Sequence, residues 1–107
     1  YNFADAFIGP RVTIAPGGDL ILTVNSATPS VDNYVSVRTA NTSATTITNF
    51  TNGVNGQEVT VLLDDTNTTI AGGSTIKTSG STNITAKGEY KFKKYNGVWR
   101  QTAGVAF

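Results

Sequence analysis

Two runs of alternating side chains, EYKFKKY (Glu89 to Tyr95) and VWRQT (Val98 to Thr102), are separated by only two residues, Asn96 and Gly97. Asn and Gly both tolerate the left-handed backbone that a two-residue hairpin turn demands, so this pair commits the segment to an antiparallel β-hairpin. The same grammar extends through the chain. RVTI (Arg11 to Ile14) and DLILTV (Asp19 to Val24) flank the turn APGGD. YVSVR (Tyr34 to Arg38) alternates about Val35 and Val37, and TTITNF (Thr45 to Phe50) has the β-branched composition of a pleated surface. Asn52-Gly53 and Asn55-Gly56 are successive turn signals before EVTVLL, where Val59, Val61 and Leu63 share a face. Asp64-Asp65 opens the next turn. TTI (Thr68 to Ile70), TIK (Thr75 to Lys77) and NIT (Asn83 to Thr85) then read as short strands separated by Gly72-Gly73 and SGST.

No window holds apolar residues at helical spacing for three turns. The expectation is an all-β fold: a β-sandwich, jelly roll or small barrel of about nine short antiparallel strands. The inward sets would be Val12/Ile14, Leu20/Leu22/Val24, Val35/Val37 and Val59/Val61/Leu63. No linker, charge block or clean internal repeat divides the pattern, so residues 1–107 are read as a single β domain. Residues 1–10, YNFADAFIGP, are apolar without alternation; they suit an interface or joining segment, or equally an edge strand. Tyr1 at the start, with no signal peptide following, suits an excised domain or a processed product.

Composition excludes several chemistries. The chain has no His, Cys or Met. A His-based triad, an imidazole metal site, a thiolate nucleophile and a disulfide staple are therefore all ruled out. Net charge is +1, too small to announce nucleic acid as the partner, and no apolar run is long enough for membrane insertion. No cofactor and no enzymatic activity are expected. A small β chain without staples must find stability elsewhere, and sharing a core with identical chains is one route, for which Phe3, Phe7 and Phe107 are the expected interface residues.

Few constellations remain. Asp64 and Asp65 are adjacent carboxylates able to seed a calcium site, although turn aspartates more often bond their own backbone. Adjacent strand residues face opposite ways, so the pair does not flank one glycosidic bond. Lys87, Lys91, Lys93, Lys94 and Arg100 interleave with Tyr90, Phe92, Tyr95 and Trp99, a pattern that can bind single-stranded nucleic acid or a polyanionic glycan. Alternation puts Lys91, Lys93 and Tyr95 on one face, where lysines would chiefly blunt edge pairing. Tyr95 and Trp99, with Lys93 and Asn96, are the candidate carbohydrate-binding residues, subject to Trp99 being exposed rather than core. Four N-x-[ST] sequons, at Asn41, Asn49, Asn67 and Asn83, arise readily by chance in a chain rich in Asn and Thr.

From Ile47 to Gly104 the order Gly56-Gln57, a strand Val59 to Leu63, DDTNTTI (Asp64 to Ile70), GSTI (Gly73 to Ile76) and YNGVW (Tyr95 to Trp99) resembles a module near the C-terminus of phage tail fibre and tailspike proteins. Lys77-Thr78 departs from that pattern, which usually continues with an aliphatic residue, so no receptor pocket is carried over. The resemblance implies an extracellular virion component: an all-β, homotrimeric fibre domain that registers the trimer. It also implies host-surface glycan attachment in some members, and in others a cleavable intramolecular chaperone.

Overall fold

The computed structural model describes residues 19–107. The expected strand RVTI, the pair Val12/Ile14, the turn APGGD up to Gly18, the segment 1–10 and the interface residues Phe3 and Phe7 lie outside them. The described part is all-β. Its strands are β1 (Leu20–Ile21), β2 (Ser36–Arg38), β3 (Thr45–Ile47), β4 (Glu58–Leu63), β5 (Thr68–Ile70), β6 (Ile76–Lys77), β7 (Gly88–Tyr95) and β8 (Val98–Ala106), with one 3-10 turn at Ser79–Ser81. Six form a mixed sheet in the order β1-β2-β4-β7-β8-β6, and β3 and β5 form a second, two-stranded sheet. Among the described residues no helix is long and apolar enough to cross a membrane.

The expected sense of pairing holds only in part. β4–β7 and β7–β8 are antiparallel. The pairs β1–β2, β2–β4, β3–β5 and β6–β8 are parallel, which corrects the expectation of antiparallel strands throughout. The reason is visible in the register. Leu20 lies beside Val37, 17 residues on; Ser36 beside Thr60, 24 on; Thr45 beside Thr68, 23 on. A parallel partner needs a crossover of a dozen residues or more, and each of these loops supplies it. Between β2 and β4 the chain leaves the large sheet, passes through β3 of the small one and returns beside β2. Backbone bonds lock successive passes together: Leu22 N–H to Arg38 O at 2.9 Å, Thr48 N–H to Ala27 O at 2.9 Å, Val31 N–H to Thr51 O at 2.9 Å and Ala71 N–H to Ile47 O at 2.9 Å.

Stacking puts like on like. Val37 pairs with Val61 and Ile47 with Ile70, and all four are buried. They join Leu22, Val31, Phe50, Val59, Leu63, Ile76, Ile84, Tyr90, Phe92 and Trp99 in one core, with Leu20 and Tyr34 packed against it. The expected inward set Val59/Val61/Leu63 is buried, and so is Val37; Val35 is half-buried and Val24 exposed. A part-buried corner centred on Asn41 runs beside this core. The Asn25 N–H donates to Asn41 Oδ1 at 2.6 Å, and the Asn41 N–H donates to Asp65 Oδ2 at 2.9 Å. Each pass therefore offers a side-chain oxygen to the backbone of the pass before it, where the chain bends too sharply for strand pairing.

The stacking stops at β4. Its outer edge is taken over its whole length, Glu58 to Leu63, by β7 running the other way. β7 turns at Asn96 (φ 48°) and Gly97 (φ 83°) into β8, the hairpin expected from sequence. A bulge at Thr102 shifts the register between Lys91 and Phe92.

Candidate functional site

The hairpin positions most of the candidate residues. Trp99 faces inward and is completely buried. Its indole Nε1–H donates to Phe50 O at 3.0 Å, and its ring meets Phe50 edge-on, centroids 5.8 Å apart. Phe92 completes the cluster, 5.6 Å from Phe50. The Lys94 ammonium lies 5.6 Å from the Trp99 ring and donates to Gly53 O at 3.1 Å. Gly53 is required there: a Cβ would stand 2.9 Å from Trp99 Cη2 and closer still to Cζ2. Trp99 is a core residue, and sugar stacking on it is withdrawn.

Tyr95 points the opposite way and is 47% exposed, with the Lys93 ammonium 5.4 Å from its ring centroid. Asn96 is exposed in the adjoining turn. Tyr95, Lys93 and Asn96 are thus together at the hairpin end, with Trp99 behind them. Phe107, 81% exposed, continues the hairpin by donating its N–H to Lys87 O at 2.9 Å.

Asp64 and Asp65 behave differently from each other. Asp64 has an exposed side chain, and its N–H donates to Thr39 Oγ1 at 3.0 Å. Asp65 has both oxygens engaged: by the Asn41 N–H, by the Asn67 N–H at 2.7 Å and by the Thr68 hydroxyl at 2.8 Å. Burial alone would raise its carboxyl. Hydrogen bonds from the Thr39 hydroxyl, the Asn41 amide, the Thr68 hydroxyl and the Asn67 amide outweigh that and hold it below its ordinary value. Among the described residues no group of three or more His, Cys, Asp or Glu could hold a metal ion. The sequon residue Asn41 is buried, its amide donating to Thr68 Oγ1 at 2.7 Å, so it is not accessible to a glycan.

No family model matches the chain, and neither does any curated protein or solved structure. Two features went unread in the sequence. Gln57 ties three segments: its Nε2 donates to Tyr34 O at 2.8 Å and to Asp32 O at 3.0 Å, while its Oε1 accepts from the Val54 N–H at 3.0 Å. Its position directly after Asn55-Gly56 was the available signal. The second is the place of Lys77, which strand order sets beside Arg100 and Lys93, both already part of the basic cluster read from the sequence.

A shallow depression near the hairpin is lined by Ser79, Thr82, Asn83, Ile84, Tyr90 and Gln101, among others. It is wide open, and the Tyr90 hydroxyl beside it is spent on Ala86 O at 2.7 Å. It has neither the depth nor the convergent polar groups of a substrate site.

Proposed function

We propose that this domain is a non-catalytic structural and interaction module at the C-terminal end of a phage tail fibre or tailspike, where it terminates a stack of parallel β passes. The observation that carries this reading is the cover of β4 by an antiparallel strand along its full length. An uncovered parallel edge would accept another pass; the reversed strand β7 ends the parallel run β1-β2-β4, and beyond it β8 takes only the two-residue β6 in parallel. The order of motifs from Gly56 to Trp99 supports the same assignment to virion appendages. Under this reading the architecture is closer to a short capped solenoid than to a sandwich or jelly roll.

A homotrimer is part of the proposal. It rests on the resemblance and on exposed apolar groups, Ile21, Val24, Val54, Val105 and Phe107, rather than on any need to complete the core. Light scattering on the 107-residue chain tests it: a trimer mass is expected, and a monodisperse monomer refutes that part. Val61→Asp is unsuited to the purpose, because Val61 is fully buried within one chain and the variant would not fold.

A second reading, attachment to a host-surface glycan, is favoured by one arrangement. Tyr95 presents an exposed ring beside Lys93 and Asn96 at the hairpin tip. Binding to host cells that survives Tyr95→Ala would remove this site.

A further inference from the structure

Strand order lines up cations that the sequence keeps apart. Lys93 on β7 lies opposite Arg100 on β8, and Arg100 lies opposite Lys77 on β6. Their neighbours Phe92, Trp99 and Ile76 are buried, so all three basic residues belong to the outer face. Lys91, two residues from Lys93 on the same strand, shares that face and is exposed. With neighbouring strands about 4.8 Å apart, Lys77, Arg100 and Lys93 stand at regular stations spanning about 10 Å.

Like charges directly opposite one another oppose sheet pairing. Two carboxylates lie near: Glu58 is opposite Lys93 on β4, and Glu89 precedes Lys91 by two positions on β7. Neither is within ion-pair distance, since among the described residues the sole ion pair is Arg38 with Asp19. Protection of a free edge does not explain the row. β7 is paired with β4 from Gly88 to Lys93 and with β8 along its whole length, so Lys91 and Lys93 sit on an interior strand; of the row only Lys77 is on the edge strand, β6.

We infer that the outer face of β6, β8 and β7, with Lys77, Arg100, Lys93 and Lys91 as its cations, binds an anionic polysaccharide, one carrying carboxylate or phosphate groups along its length. This names the ligand class for the glycan-attachment reading above and rests on that reading. The ligand chemistry follows from the face itself. Its cations stand in a row across three neighbouring strands rather than converging on one point. Single-stranded nucleic acid is disfavoured, because it needs a series of open aromatic platforms for successive bases. This face offers one exposed ring, Tyr95, and the Lys93 ammonium already lies over it. In the proposed complex the polymer runs across the strands, its acidic groups neutralise the row, and Tyr95 packs against a sugar at one end.

Calorimetric titration of the whole chain with polygalacturonate, neutral dextran and oligothymidylate tests this, at about 50 mM and about 300 mM salt. Polygalacturonate should bind at low salt and weaken sharply at high salt. The variant Lys77→Gln/Lys93→Gln/Arg100→Gln should bind about tenfold or more weakly, on the scale of three exposed charge contacts. Lys87→Gln, which removes a cation outside the row, should bind as the parent does. Arg100→Gln alone should raise the melting temperature at low salt, because it removes the middle charge from a repulsive row, and added polygalacturonate should stabilise the parent more than this variant. Dextran binding without polygalacturonate binding overturns the anionic proposal and leaves glycan attachment standing. Tighter binding of oligothymidylate overturns it in favour of nucleic acid. Equal weakening by Lys87→Gln, or no binding of any probe, overturns it too, while the glycan reading is decided separately by the Tyr95→Ala test of host-cell binding.

Discussion

Gly53 and Trp99 should behave as one unit, although 46 residues separate them. The Gly53→Ala variant adds a methyl at a point where Trp99 Cη2 is 2.9 Å away and Cζ2 nearer. Overfilling a closed core costs about 1–3 kcal/mol. Trp99→Phe removes those same ring atoms but also deletes the bond to Phe50 O, at a combined cost of about 2–4 kcal/mol for lost packing and an unpaired carbonyl. In the double variant the methyl occupies space the smaller ring has vacated. Its stability should therefore exceed the sum of the single losses by about 1–2 kcal/mol. Urea unfolding followed by far-ultraviolet circular dichroism gives all four corners of the cycle without relying on indole fluorescence. Gly73→Ala is the control, because its added Cβ meets nothing within 4 Å. Additivity to within about 0.5 kcal/mol would refute the reasoning, since it would mean that the methyl and the indole do not compete for the same volume.

Other consequences can be checked in the same way. Asp65 has a depressed carboxyl in the folded chain, so its contribution is fully present above the unfolded value of about 3.9 and is lost as pH falls through the folded value; Asp65→Asn should flatten acid unfolding in that window. Gln57→Ala leaves the Val54 N–H and two carbonyls without their partner, and a loss of about 1–3 kcal/mol is expected in chemical denaturation. Gly97→Ala places a side chain at φ 83° in the hairpin turn and should cost about 1 kcal/mol, with the loss read from the melting temperature.

Strand positions were largely legible because period-two alternation survives any topology. Val59, Val61 and Leu63 are buried together, and Tyr90 and Phe92 face away from Lys91 and Lys93 as the alternation requires. The hairpin was legible because Asn96 and Gly97 encode their own backbone angles. Parallel pairing was not, since its partners lie a whole circuit apart and the circuits differ in length: 17 residues at β1–β2 against 24 at β2–β4. One trace of it was present. The triplet TTI occurs at Thr45–Ile47 and again at Thr68–Ile70, and the copies pair residue for residue. Three residues are too few to register as a repeat in a chain crowded with threonine. Of the candidate site, Tyr95, Lys93 and Asn96 were found, because a tight turn keeps sequence neighbours close. Lys93 and Arg100 were legible as part of a basic cluster, but Lys77 was missed because β6 joins β8 across 23 residues.

The reversed strand over β4 also bears on how the chain must be made. EVTVLL, Glu58 to Leu63, is six residues long, rich in β-formers, free of proline and singly charged, which is the profile of segments that seed cross-β fibrils. Synthesis delivers it well before its guardian, Gly88 to Tyr95, leaves the ribosome. A nascent or truncated chain ending short of Gly88 would present a bare ribbon edge ready to recruit its siblings, and the strand made later is what covers it.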